Sequence, residues 1–572
     1  VEPETIEEKI LAMEDVAFNE GHELSDVSLV SLADIYFKSQ ASFGAGGSGD
    51  PLQLYIFIVI GALILLIAVT NYVNLSMAIY SSKAMEVGMR KVLGETRPGI
   101  IQAFFLESLF MALLTIPFVL IGLSVLLPKF NSFMGLNIEN MFISSPAYWL
   151  SLIAFFGLLS LITMIYPALT LTRTKISMLL KSKASIHSTG GIRLRNLLIF
   201  VQFMLLFTLG ISAWFMNRQI SFLDNKDMGF KAENVIKITN AFDLGQMNEY
   251  YLLKNELTSS PLIAGITFGP MIGDGSNALA YKPEGQDEVY ENLLSYGVDI
   301  DYFDVMDIDI LAGEFKTTLS AADSGQVVSL VNQHFINEFG WSNDPIGKNI
   351  TLRPGSENEL NRKVSAVFND FHYFSLKERI TPQIISLKID PDFINTNILI
   401  KASTDDVRGA VEAIQAAWSK IQPNISMQYD FMDDAVKRLY AKEKQTGQIS
   451  VTFSMLAILL SLLGLTGFMV YVIGLKSKEI AVRKVLGASL LQIIALLNRQ
   501  LFSIIFIAAI IGSALSYLLV STWLQDYAYA ISLSPLTFVI AAIIVYVIVF
   551  IITGLQSLKS AQLNPTLALK NE

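Results

Sequence analysis

Seven long apolar runs set the rhythm of the chain. A bilayer core takes roughly 20 residues of helix, and the runs at 52–80, 100–128, 147–171, 196–219, 449–475, 491–520 and 536–557 reach that length. The pattern predicts an α-helical integral membrane protein with seven transmembrane helices. Between the fourth and fifth runs the period changes. Short β-rich stretches at 234–238, 327–332, 363–368, 382–388 and 397–401 alternate there with helical patterns at 246–258 and 405–421. This predicts a mixed α/β extracytoplasmic domain over 222–446, large enough to bury its own core.

One polar segment between runs occurs twice. KAMEVGMRKVLG at 83–94 and KSKEIAVRKVLG at 476–487 agree at Lys83/Lys476, Glu86/Glu479 and throughout Arg90–Gly94/Arg483–Gly487, at a constant offset of 393. Each copy reads as a short amphipathic helix. Met85, Met89, Val92 and Leu93, and in the second copy Val482, Val485 and Leu486, form an apolar stripe. Glu86 with Arg90, and Glu479 with Arg483, stand at i,i+4 in the favourable acidic-first order. Gly94 and Gly487 are C-terminal stops, and Ser489 with Gln492 has the form of a capping box opening the next run. The exit from the third run, 166–183, has a weaker counterpart at 555–572.

Charge then orients the runs. Lys83, Arg90, Lys91 and Arg97 lie in the first loop, Arg173, Lys175, Lys181, Lys183, Arg193 and Arg195 in the third, and Lys476, Lys478, Arg483 and Lys484 in the fifth. Loop 129–146 holds only Lys129, and 521–535 has no Lys or Arg. Basic loops stay cytoplasmic, so the N-terminus is expected outside and the C-terminus inside. An odd number of runs in a duplicated plan implies a further span ahead of Val1, with residues 1–50 as the tail of a first external domain.

The composition, 52% hydrophobic and 16% charged, agrees with a membrane chain. The net charge of −10 is concentrated in 220–446, which holds about 33 acidic against about 20 basic residues, and nucleic acid is not an expected partner for such a surface. With no Cys and four His, thiolate metal sites, disulfides and cysteine nucleophiles are excluded. GWSNDPIGKN at 340–349 has neither the glycine spacing nor the hydroxyl of a phosphate loop, and reads as a turn into a strand. His334 and His372 are isolated and read as surface or packed histidines. The acidic run at 299–309 lacks the glycine and terminal Glu of a calcium loop and reads as a solvated edge. Polar residues are few within the runs; Asn71, Asn74 and Gln202, and near the membrane ends Glu107, Arg499 and Gln500, could pair between helices. Glu107 falls opposite Gln500 at the same offset, which suggests structural pairing rather than an ion path. No cofactor, metal or catalytic residue is expected, and the chain reads as no enzyme.

The repeated helix could be a basic anchor on anionic lipid. Charge alone would not make the Glu, the apolar stripe and the glycine recur in order, so a docking element for a cytoplasmic protein is the stronger reading. The stretches 71–109, 478–501 and 195–230 together resemble FtsX/MacB-type permeases of ABC transporters, closest to duplicated eight-span members with two MacB-like periplasmic core domains. The resemblance implies a separate cytoplasmic ABC ATPase docking on Glu86, Arg90, Lys91, Val92, Leu93, Gly94, Glu479, Arg483, Lys484, Val485, Leu486 and Gly487. It implies inner-membrane residence and motion relayed to the periplasmic domain, for export or extraction of an amphipathic peptide, drug or lipoprotein. A periplasmic adaptor or hydrolase is a further partner, and the dimeric permease unit is supplied within a complete chain or by two chains. A division-type scaffold activating cell-wall hydrolases and a membrane-anchored peptide sensor remain open alternatives. On this plan the chain divides into 1–50 (tail of a first core domain), 51–175 (first membrane copy), 176–195 (linker), 196–221 (span opening the second half), 222–446 (second core domain) and 447–572 (second membrane copy).

Overall fold

The computed structural model describes residues 51–134, 145–173, 189–240, 247–270, 277–314, 327–387, 397–403 and 406–561, with isolated positions before 51. Contacts divide the chain into two units, one of 52–220, 444–524 and 531–572, and one containing 221–443 and 525–530.

The first unit is helical throughout. Its elements are α1 (Pro51–Ser82), α2 (Ala84–Val92), α3 (Arg97–Met134), α4 (Pro146–Arg173) and α5 (Thr189–Asn225), followed by α11 (Ala441–Val485), α12 (Leu490–Leu524) and α13 (Pro535–Ala561) after the inserted domain. Six stretches among the described residues are long and apolar enough to cross a membrane: 54–76, 97–132, 196–225, 443–469, 501–524 and 535–555. The third expected span falls on α4, where the described apolar stretch, Pro146–Ile162, is shorter. The expected count of seven is therefore six by this measure. Inside this unit α5 packs against α11, α12 and α13 through Phe203, Phe207, Phe215, Phe468 and Val549. Gly512 lets α5 come close, since a Cβ there would stand 2.6 Å from the Met204 carbonyl oxygen.

The second unit is a mixed α/β domain. A small antiparallel sheet has the order β11 (Tyr429–Phe431), β1 (Val235–Ile238), β10 (Asn397–Ala402), β2 (Ile263–Gly269). Two helices, α6 (Met247–Thr258) and α9 (Val407–Ile421), share its core. Asp406 starts α9 by accepting the Gly409 amide at 3.0 Å. Ala410, Val411, Ile414, Ala417 and Trp418 then recur at helical spacing on its buried face.

The larger sheet runs β5 (Ile310–Gly313), β8 (Leu360–Phe368), β6 (Val328–Asn332), β9 (Gln383–Leu387), β4 (Tyr290–Val298), β3 (Asn277–Pro283), β7 (Asn349–Leu352). β4/β9 and β6/β8 are parallel and the other pairs antiparallel. Every residue of β6 is buried, as a central strand covered on both faces requires. Asn332 ends it and caps α8 (Gln333–Glu338): its Oδ1 accepts from the Phe335 and Gln383 amides, and its Nδ2 donates to the Thr381 carbonyl. A shared core in which Tyr296, Phe303 and Phe368 meet Val235, Leu399 and Met432 joins the two sheets.

The five expected strand regions coincide with β1, β6, β8, β9 and β10, and the stretch after Gly347 is the turn into β7. The acidic run matches its expectation of a solvated edge only in part, at Asp304, Asp307 and Asp309. Tyr302, Phe303, Val305 and Met306 form the buried short helix α7 (Tyr302–Met306). Asp299 is buried, accepting from the Tyr250 hydroxyl and the Lys254 ammonium. The apolar residues between the acids decide the packing. His372 is packed, whereas His334 is half-buried beside Glu338.

Candidate functional site

The repeated segment keeps its sequence in both copies and its fold only in part. In the first copy α2 is a separate helix, set off from α1 at Lys83. In the second copy the segment is the end of the 45-residue helix α11, with no break. The expectation of two short helices therefore holds for the first copy alone. A charge difference accompanies it: the Lys83 ammonium is paired with Glu107 on α3, and the position equivalent to Glu107 is Gln500, which carries no charge.

Both copies end the same way. Gly94 and Gly487 have φ of 91° and 87°, the left-handed region that glycine enters without a Cβ penalty. Glu95 N–H donates to the Arg90 carbonyl at 3.0 Å and Gly94 N–H to Lys91 at 3.2 Å, while Ala488 N–H donates to Arg483 at 2.9 Å. These are the bonds of a Schellman stop. After it, Ser489 and Gln492 close a reciprocal capping box at 2.9 and 3.3 Å. The first copy makes half of this, with Thr96 Oγ1 accepting from Gly99 N–H at 3.4 Å.

The expected intrahelical pairs are formed. Arg90 reaches Glu86 at 2.7 Å and Glu95 at 3.7 Å, and Arg483 reaches Glu479 at 3.0 Å. The hydrogen bond and charge of Glu86 hold the Arg90 guanidinium above its ordinary pKa. Lys91 turns inward, donating to the Thr172 carbonyl at 2.9 Å. Burial, and then the Arg97 charge, lower its pKa. The Lys484 side chain lies outside the described residues, as do the SMLLK and TLALK stretches of the weaker repeat.

The expected apolar stripe faces outward. Met85, Met89, Val92 and Leu93 are 51%, 51%, 60% and 86% exposed, and Val482, Val485 and Leu486 are 49%, 69% and 79%. What ties each segment to the unit is a residue outside that stripe. Val87 is buried with Ile100, Phe104, Met164 and Ala168, and its counterpart Ile480 is buried in the cluster that contains Ile493, the counterpart of Ile100. Laying one copy over the other would have singled out Val87/Ile480, because the position stays β-branched while Met85/Lys478, Gly88/Ala481 and Met89/Val482 change. Each segment thus presents a polar edge and an apolar stripe to whatever lies outside the chain. No group of acidic or histidine side chains able to hold a metal occurs among the described residues.

Residues 58–176 and 451–565 each match the family model for the FtsX-like permease C-terminal domain. No curated protein matches the chain. Among solved structures, the periplasmic region of MacB from Actinobacillus actinomycetemcomitans is similar at 16% identity and a TM-score of 0.27, over 38% of this chain and 96% of that one. The extracellular domain of the noncanonic ABC-type transporter YknZ from Gram-positive bacteria is similar at 11% identity and a TM-score of 0.24, over 34% and 98%. Likenesses of that size carry no argument, and the assignment rests on the two matched segments.

Proposed function

Because the chain carries the FtsX-like permease domain twice, we propose that it is the permease subunit of an ABC transporter, coupled at its two repeated segments to a separate cytoplasmic ATPase. The single observation carrying this reading is the outward apolar stripe at equivalent places in both copies, each beside an Arg held by an i−4 Glu. An apolar stripe of that kind is stable in water only when covered, and an Arg beside it offers a planar fork for a partner carboxylate. On this reading the seven expected runs all span the inner membrane, and the α/β domain lies in the periplasm and takes up the movement of the helices. The transported or extracted substrate is amphipathic.

The test is co-purification of the chain with its ATPase. Reversing one charge of a desolvated interfacial pair costs about 2–5 kcal/mol, so Arg90→Glu and Arg483→Glu should each weaken capture, and the double variant should abolish it together with ATPase stimulation. The exposed intrahelical pair contributes only about 0.3–0.5 kcal/mol to folding, so the variants should still insert and elute normally. A double variant that binds and stimulates like the parent would refute ATPase docking here, and loss confined to anionic vesicles would assign the segments to lipid. Orientation is read separately by an impermeant thiol reagent, with Glu357→Cys labelled from outside and Leu93→Cys and Leu486→Cys protected.

A further inference from the structure

Arg and Lys stand side by side in both copies of the repeat, at Arg90–Lys91 and Arg483–Lys484. Adjacent residues of an α-helix point about 100° apart at 3.6 residues per turn, and α2 uses the two directions differently. Arg90 stays on the surface, in ion pairs with Glu86 and Glu95 of its own segment. Lys91 reaches out of the segment: its ammonium donates to the carbonyl of Thr172, a buried residue in the last turn of α4. The Thr172 hydroxyl is turned back along its own helix to the Ala168 carbonyl at 2.7 Å. Lys91 therefore holds backbone, not a side chain that can swing away, and a carbonyl oxygen has two lone pairs with which to take such a bond.

The bond is the last of three ties in a row. Lys83, Val87 and Lys91 recur at four-residue spacing, which stacks them on one side of a helix. Lys83 pairs with Glu107 of α3. Val87 packs among Ile100 and Phe104 of α3 and Met164 and Ala168 of α4. Ala168 and Thr172 are themselves four residues apart, so the row has its match along α4. A helix of nine residues, as α2 is, falls below the roughly 12–15 at which an isolated helix becomes even marginally stable in water. Its placement is decided by what it is fastened to, and these three ties lead to α3 and α4. The second segment is placed differently, because it is the end of α11 and its backbone runs on into that helix.

We propose that Lys91, expected from the sequence among the docking residues, is instead a positioning residue: it fastens the first segment to the Thr172 carbonyl, so that this segment travels with α3 and α4 while the second travels with α11. The functional consequence rests on the reading of both segments as ATPase-docking elements. A pull on Arg90 and the stripe beside it then enters α3 and α4 rather than α1, and the same pull on Arg483 enters α11. Within the first segment Arg90 faces the partner and Lys91 faces the chain.

Because the full chain has no cysteine, spin labels at Met89→Cys and Leu158→Cys, both at exposed positions, read the separation of α2 from α4 with no ATPase present. The parent should give one narrow distance distribution. Lys91→Met keeps the apolar stem and removes the donor, and should widen that distribution. Lys91→Arg can still donate to a carbonyl and should restore most of the narrow form, while Arg90→Gln should leave it as in the parent. An unchanged distribution in Lys91→Met, or the same widening in Arg90→Gln, would overturn the fastening. Titration with the ATPase separates positioning from contact. Lys91→Met should lower the maximal stimulation several-fold and leave the half-saturating ATPase concentration where it is. A change confined to the half-saturating concentration would make Lys91 a docking contact and overturn the assignment. If the parent chain stimulates no ATPase, the docking reading fails by itself, and the distance measurement still decides whether Lys91 holds α2 to α4.

Discussion

The two membrane copies share a family domain and a motif, yet they are built for different neighbours. In the second copy α12 turns a face of small residues, Ala508, Ala509, Gly512 and Ser516, toward α5. There the Thr208 hydroxyl is 3.2 Å from the Gly512 carbonyl, and the Ser212 and Ser516 hydroxyls are 3.0 Å apart. Close approach through small residues and hydroxyls is how helices associate in lipid, where burial of apolar surface gives no net gain. The same positions of α3 in the first copy are Thr115, Ile116, Val119 and Leu123, and none of these four is buried. The repeat therefore kept the segment that follows the first helix of each copy and changed the face of the next helix, where helix spacing is set.

The sharpest way to break this contrast is to write the first copy's residue into the second. Gly512→Val places side-chain carbons where the Met204 carbonyl and Phe207 Cβ stand, 2.6 and 2.8 Å from the new Cβ. Backbone cannot rotate away as a side chain can, so the cost should exceed the roughly 1–3 kcal/mol of ordinary overpacking. The expected outcome is loss of monodisperse protein and protease sensitivity of α5. The reverse change, Val119→Gly, touches an exposed position and should cost only the helix propensity of glycine, about 1 kcal/mol. Equal effects of the two variants on the melting temperature in detergent would show that the copies do not differ in packing as described.

A second prediction uses the segment joining α12 to α13. Residues 525–530 belong to the α/β unit, where Ala528 N–H donates to the Lys377 carbonyl at 2.9 Å and the Tyr529 ring meets His372 edge-on at 5.0 Å. Burial first, and then the Lys226 charge, lower the His372 pKa to about 4, with Asp227 opposing. A histidine depressed below its unfolded value of about 6.5 is neutral in both states above that value and takes up a proton only on unfolding between the two. Stability is thus complete above about pH 6.5 and falls as pH drops toward 4, by up to about 3 kcal/mol. Melting of the chain at pH 7 and pH 4.5 checks this. His372→Gln should flatten that part of the profile, and an unchanged pH slope in the variant would remove His372 as its source.

The sequence made the repeat, its Schellman stops, the Ser489 capping box and the apolar runs legible, because each rests on local chemistry read within a few residues. It made five strand regions of the α/β domain legible and missed β2, β3, β4, β5 and β11, whose runs are broken by Gly265, Lys282 or Asn292, or are only three or four residues long. The burial of Asp299 and the outward turn of the Met85–Leu93 stripe were out of reach, since each depends on a residue distant in sequence: Lys254 for the first, Ile100 and Met164 for the second.

The smallest expected effect concerns the break at Lys83, where, among the described residues, the two repeated segments differ in path. The Lys83–Glu107 pair is about one-third exposed on both sides, and ion pairs at such sites contribute roughly 0.2–1 kcal/mol. Glu107→Gln, which installs the second copy's residue, should hardly move the melting temperature. Its effect should be on geometry. With the ammonium released, the favourable continuation is the one the second copy adopts, an unbroken helix through 83, because a helix adds a backbone hydrogen bond for each residue it absorbs. Spin labels at Ser76→Cys and Met89→Cys, 13 residues apart, would lie near 20 Å along an unbroken helix at 1.5 Å per residue. A broken path gives a different and broader distance distribution. In the parent background the distribution should reflect the break, and in Glu107→Gln it should shift toward the value measured at Thr466→Cys and Val482→Cys within α11, scaled for their own 16-residue separation. An unchanged distribution in the variant would mean that the break is set by the backbone around Lys83 rather than by the charge that Glu107 supplies.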